Sequence, residues 1–298
     1  MSDLALEFIE VTQTIGDGLF FGTTYALIGV GFTLIFGAMG KLNMTYAAAA
    51  LAGAYAGLAA FTFVNAPAPV VFLISALASG LLGGVVYVTC FRFIPINNHL
   101  AALMASIGAL FFIDEIVVHT TDGSPLTFPA LFDDVMFDVG PFGIRGDLLF
   151  VLAVNIAGTI GLLYVLYRTR LGLATRAVSQ QDVAARLCGI DVHRTNFITF
   201  VLAGLLGGIA GSMTASAVGV LSPLITVPLT VKGLIVSVIG GLGSIPGAIA
   251  AGLLVGGLEN VFLYFRGVNE RDMYVLLLLF VFLVFRPHGI FGSAIERD

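Results

Sequence analysis

Long apolar blocks recur along this chain, near residues 18–40, 45–64, 70–91, 99–118, 148–167, 196–218, 231–242, 246–265 and 273–286, and they constrain its fold more than any other feature. A helix needs roughly 20 apolar residues to cross the hydrocarbon of a bilayer. The first six blocks are clear spans. The last three lie close together, and 231–242 is too short to cross unless it extends or breaks inside the protein. Charge is correspondingly scarce: 13 Lys and Arg and 18 Asp and Glu serve 298 residues, 58% are hydrophobic, and the mean hydropathy is +1.05. A soluble domain carries about a quarter of its residues as charges, so lipid must be the solvent for most of this one. A soluble enzyme, a disulfide scaffold and a nucleic-acid binder are excluded. The expected fold is all-α, a polytopic transmembrane helical bundle of about eight to ten spans, treated as one domain over 1–298.

The 37 glycines fit that class. Many sit inside apolar blocks and in pairs four residues apart: Gly18/Gly22, Gly53/Gly57, Gly80/Gly84, Gly207/Gly211 and Gly252/Gly256. Such a pair lies on one helix face and lets a neighbouring backbone approach closely. A membrane β-barrel would need alternating polar and apolar residues, and Val275–Phe285 shows none. Met1–Asp17 holds acids and no Lys or Arg, so no cleavable signal is expected. Trp is absent, which leaves Tyr and Phe as interfacial anchors.

Loop charge orients the bundle. Residues 168–194 contain Arg168, Arg170, Arg176, Arg186 and Arg194 against Asp182 and Asp191. Residues 114–147 contain Arg145 alone against Asp114, Glu115, Asp122, Asp133, Asp134, Asp138 and Asp147. Cytoplasmic loops collect Lys and Arg, so the loop about 168–195 is inside and the acidic loop about 119–147 is periplasmic. Lys41 and Arg92 then fall inside and the acidic N-terminus outside. Nine crossings bring Arg286 and Arg297 inside but leave Arg266 and Arg271 outside, against the rule. Cys90 and Cys188 both fall at the reducing face, where no disulfide is expected.

The inner loop is the most informative segment. From Ser179 to Leu187 its residues suit a short helix, with Ser179 as cap, Asp182 in the first turn, Arg186 near the end and Gly189 as the stop. Ala184, Leu187 and Cys188 would give it an apolar face. Physics alone leaves two readings open: a lever that transmits force into the bundle, and an ordinary helix lying at the headgroups.

Arg176-Ala177, Ala184-Ala185 and Gly189-Ile190, followed by a span rich in small residues, resemble the coupling-helix region of permease subunits of bacterial ABC importers of the branched-chain amino acid group, which are related in turn to ribose-type permeases. GTTYALIGVGFTLIFGAMGKLN (22–43), VIGGLGSIPGAIAAGLLVGGLEN (238–260) and FRPHGIFG (285–292) are similar to further stretches of that family, and the likeness covers most of 18–292. The resemblance implies a multi-pass protein of the bacterial inner membrane that pairs with a second homologous permease, two cytoplasmic ATPase subunits and a periplasmic solute-binding protein. It assigns ATPase coupling to Ser179, Gln180, Asp182, Ala184, Ala185, Arg186 and Gly189. No phosphate loop of the G-x-x-x-x-G-K-[ST] kind is present, since Gly40-Lys41 is followed by Leu42. ATP and Mg are therefore expected on partner subunits, with no cofactor, metal or catalytic residue in this chain.

Polar groups in apolar spans are costly and mark candidate pathway positions. Asn43, Thr45 and Tyr46 stand where relatives carry an Asn-Phe-Ala-His-Gly-like stretch, and the histidine is missing here. They line the substrate pathway or satisfy a turn. Ser244, in a glycine-rich run before Pro246, starts either a broken helix or a tight turn. Glu259 pairs with Lys232 or Arg266, meets a substrate amine, or lies at the headgroups. Asp114 and Glu115 are expected to be solvated, and His99 to lie at the cytoplasmic face. Branched-chain or other amino acids are the leading substrates; urea, short amides and other small organic acids are alternatives. A stand-alone ion-coupled carrier would need an ionisable relay within the spans, and the chain is nearly bare of one.

Overall fold

A computed structural model describes residues 3–95, 98–129, 136–139, 142–267, 271–286 and 289–292. In chain order the helices are α1 (Asp3–Met39), α2 (Tyr46–Val64), α3 (Ala68–Val86, prolonged by a π-turn over Tyr87–Phe91), α4 (His99–Thr121), α5 (Gly146–Arg168), α6 (Arg170–Gln180), α7 (Asp182–Leu187), α8 (Val192–Val218), α9 (Thr226–Gly240), α10 (Ile245–Arg266) and α11 (Arg271–Phe285). Four short strands lie in the loops: β1 (Leu126–Thr127), β2 (Met136–Val139), β3 (Phe142–Arg145) and β4 (Val220–Leu221). Among the described residues eight helices are long and apolar enough to cross a membrane. The fold is the expected all-α bundle.

The glycine pairs build its interior. α1 packs along α10, α3 along α8, and α2 against both α3 and α8. A Cβ placed at Gly252 would overlap the backbone of Ala26, and one at Gly256 would overlap that of Gly22. Gly18 and Gly22 face the same seam from α1. Gly53 and Gly57 admit Ser75 and Ser79 of α3, Gly80 and Gly84 admit α8, and Gly207 and Gly211 admit Tyr46 and Ala50 of α2. In lipid, helices associate through close packing rather than hydrophobic exclusion. Side chains at these positions would hold the backbones apart and remove that contact.

The last third of the chain differs from expectation in one respect. The block at 231–242 is the inner part of a longer apolar helical segment, Pro223–Gly240, which begins with a 3-10 turn over Pro223–Ile225. It crosses by extending outward. The first span likewise begins earlier than expected, at Ile9. Hydrogen bonds show which ends share a face. Gln13 donates to Gly143 O in β3 at 3.0 Å, which joins α1 to the start of α5, and β1 pairs antiparallel with β4, which joins the ends of α4 and α8. At the opposite face Lys41 donates to Pro95 O (3.1 Å), and Ile290 N donates to Ile239 O (2.8 Å). The segment after α11 thus returns to the C-terminal end of α9, and Arg266 lies at the far end of α10 from that point. α11 itself, at 15 residues, is shorter than a full span. Asp133, Asp134, Pro287, His288 and Arg297 lie outside the described residues.

Candidate functional site: the inner hairpin and the buried polar groups

Residues 40–45 join α1 to α2 without helix, and Lys41, Asn43 and Thr45 among them are buried. Gly40 ends α1 at φ +65°. Lys41 is buried and held by the carbonyls of Ile94 and Pro95, and this burial pulls its ammonium below the ordinary lysine range. Asn43 Oδ1 accepts the Thr45 N–H at 3.1 Å. The Thr45 hydroxyl donates to Ser106 O of α4 at 2.7 Å, and Met44 N donates to Ser106 Oγ at 3.2 Å. Irregular backbone among membrane spans persists only where protein or a water-lined cavity satisfies it; here Asn43 and Ser106 do so. Tyr46 packs edge-on against Phe32, between Gly31 and Gly207, and its hydroxyl has no hydrogen-bond partner among the described residues. The sequence does not single out Ser106. Its signal is one hydroxyl in an apolar span.

Ser244 starts α10. Its Oγ accepts the Gly247 N–H at 3.3 Å, and Pro246 occupies the first turn. Gly241 and Gly243 take φ of +99° and +91°, angles that favour glycine. Only four residues separate the long segment ending at Gly240 from α10, and Phe291 N donates to Gly240 O at 3.2 Å. The geometry is a tight inner turn.

Glu259 is 2% exposed and pairs with Lys232 of α9, 12% exposed, at 2.7 Å. Tyr25 of α1 donates to the same carboxylate oxygen at 3.3 Å, and its ring lies 5.6 Å from the Lys232 ammonium. Removing one partner would leave a charge in an apolar interior, at a cost of about 3–5 kcal/mol. Of the choices open from sequence, the Lys232 pair is the one formed. The hydrogen bonds of Ser244 and Glu259 run elsewhere than to Asn43, Thr45 or Tyr46, so these five residues do not form one cluster of bonded groups.

At the inner face α6 and α7 form a helical hairpin. Gly172 fits α6 against the end of α5, since a Cβ there would overlap the Leu166 carbonyl, and Thr169 caps α6 by accepting the Gly172 N–H. The Thr175 and Thr199 hydroxyls, 3.4 Å apart, join α6 to α8. The single helix expected over Ser179–Leu187 is in fact interrupted. Ser179 lies within α6 and donates to Arg176 O, Gln180 ends that helix, and Gln181 precedes α7 in extended conformation (φ −159°). Serine in a continuing helix can bond its own backbone instead of capping. Asp182 and Arg186 pair at 3.6 Å, and Gly189 stops α7 at φ +81° as expected. The apolar face also differs: Ala185 is buried with Val178 and Val192, whereas Val183, Ala184, Leu187 and Cys188 are exposed.

His99 is exposed at the start of α4. Glu115 is exposed near His119, but Asp114 is half-buried and accepts the Thr226 hydroxyl at 2.6 Å, so it is not simply solvated.

A family model described as branched-chain amino acid transport system / permease component matches residues 14–285. The chain belongs to that family. This permease is 28% identical to the high-affinity branched-chain amino acid transport system permease protein BraD of Pseudomonas aeruginosa, over 96% of this chain and 97% of that one. It is 27% identical to the corresponding LivH of Escherichia coli K12 over the same shares. The ribose import permease RbsC of E. coli K12 is 28% identical over 79% of this chain and 73% of that one. Among solved structures, PsaBC from Streptococcus pneumoniae in complex with Fab shares the fold, with TM-score 0.53, 15% identity and 94% coverage of both chains. The permease is a multi-pass membrane translocation component, in keeping with its spans.

Proposed function

We propose that this permease is the translocation subunit of an ATP-driven ABC importer for branched-chain or other amino acids. It works beside a second homologous permease, two ATPase subunits dock on its inner hairpin, and a periplasmic solute-binding protein delivers substrate. ATP and Mg belong to the ATPases, and this chain contributes motion rather than chemistry. The observation that carries the reading is the surface of α7. Leu187 is 85% exposed and Val183 60%, beside Ala184 on a helix held by little besides Ala185. Apolar side chains presented on an Arg-rich face fit a protein partner. Attachment of α6 to α5 at Thr169 and to α8 at Thr175 gives such a partner a grip on two spans.

Ala184→Arg tests the docking directly, because Ala184 is exposed and Ala185 is not. ATP-dependent uptake into vesicles carrying the whole assembly should fall about tenfold or more, the effect of ~1.4 kcal/mol of lost docking free energy. The melting temperature of the isolated chain should not change. Wild-type uptake by that variant would overturn the assignment of α7.

A further inference from the structure

Several carboxylates within or beside the spans have a basic neighbour, while Glu10 has the Tyr264 hydroxyl. Glu259 has Lys232, Asp147 has Arg145, Glu115 lies 3.7 Å from His119, and Asp17 lies in the field of Arg145. Asp114 differs. No Lys, Arg or His among the described residues lies within ion-pairing distance of it, and the partner it does have is the neutral Thr226 hydroxyl, 2% exposed, at 2.6 Å.

Asp114 is short of positive charge rather than of a donor. Thr226 Oγ1 is also 2.8 Å from Pro223 O, but that carbonyl already accepts the Thr226 N–H, so the hydroxyl hydrogen can serve either acceptor. Tyr55 of α2 lies within electrostatic reach of Asp114, and its buried hydroxyl has no hydrogen-bond partner among the described residues. While the carboxylate is ionised the group lacks positive charge. An ammonium supplies it, with three N–H donors and no acceptor. Beside these groups, Leu51 (one turn from Tyr55) and Ile225 and Leu229 (flanking Thr226) line a small apolar cavity with Leu221 and Gly211.

Asp114 lies seven residues before the end of α4, about 10 Å in from its outer end. The next residue, Glu115, is 72% exposed between Phe112 and Ile116. A carboxylate does not face hydrocarbon at low cost, so this side of α4 borders water or protein.

We propose that Asp114, Thr226 and Tyr55 form an ammonium-binding site on the translocation path, taking the α-ammonium of an amino acid. On binding, the ammonium donates to the Asp114 carboxylate, to Thr226 Oγ1 and to the Tyr55 hydroxyl, while the Thr226 hydrogen serves Pro223 O. The inference rests on the amino-acid reading above.

The test uses the complete assembly in vesicles, with L-leucine and 4-methylpentanoate, which has the same carbon skeleton without the ammonium. L-leucine should slow carbodiimide labelling of Asp114, read by site-resolved mass spectrometry, by roughly tenfold, and 4-methylpentanoate should not. Asp114→Asn should lower leucine uptake by a similar factor with the assembly intact. Tyr55→Phe should raise the half-saturating leucine concentration roughly threefold, and it decides the matter should Asp114→Asn fail to assemble. Leucine uptake by the wild type without protection of Asp114, or wild-type transport by either variant, overturns this site alone. Absence of leucine uptake by the wild-type assembly overturns the amino-acid reading and this inference with it.

Discussion

The seam between α1 and α10 and the outward faces of α4 and α5 use the same residue type to opposite ends. Along the seam Gly18, Gly22, Gly252 and Gly256 bring two backbones into contact, and beside it Lys232 and Tyr25 both serve Glu259 Oε1. On α4 and α5, Gly108 and Gly161 meet nothing within 4 Å, and Met104, Phe111, Phe112, Ile156 and Ile160 stand exposed. One region has satisfied its needs within the chain. The other, which carries Asp114 and Glu115, has left them to something outside it. Glycine in a span therefore marks close approach only where a second helix has taken the space, and the two kinds of position should respond differently to substitution.

The sharpest way to break the contrast is Lys232→Met. It should destabilise the chain by about 3–5 kcal/mol, because Glu259 remains buried without its cation. Denaturant unfolding in detergent measures this, and the double change Lys232→Met with Glu259→Leu should recover most of the loss. Recovery by less than half would show that the pair does more than satisfy itself. A smaller effect is expected for Gly256→Val, where the new side chain must push the Gly22 backbone aside at about 1–3 kcal/mol. The same assay reads it, and a neutral result would mean that the seam is looser than its geometry. Gly161→Ala should be the mildest and opposite in sign, a gain of about 0.5–1 kcal/mol from helix propensity, since nothing lies in the way. A loss of uptake by the assembled complex without loss of stability would place Gly161 against a partner chain.

Much of the fold was legible because the bilayer imposes a simple grammar. The long spans follow from apolar length, with only the last third of the chain left open, and the close seams follow from glycine spacing. Pro223–Gly240 was harder to read because its outer turn carries Ser222, Pro223 and Thr226, which look like a loop until the 3-10 turn adds them to the span. The inner hairpin was located correctly but divided wrongly. Ser179 has the chemistry of a cap, yet its hydroxyl bonds back to Arg176 O within α6. At position 43 an asparagine reads equally well as pathway or turn, and the choice depends on Thr45 and on Ser106, more than sixty residues away.

By itself the sequence determined that this chain dissolves in lipid, that it crosses about eight to ten times, and to which family of permeases it belongs, because each of these depends on residue type and spacing along the chain. Only the tertiary structure decided that Glu259 pairs with Lys232, that Ala184 and not Ala185 faces outward, and that Asp114 has a hydroxyl where Glu259 has a cation. Those outcomes depend on which side chains from distant helices share a few ångströms, and in a low-dielectric interior that proximity sets whether a polar group is matched or waiting for a partner.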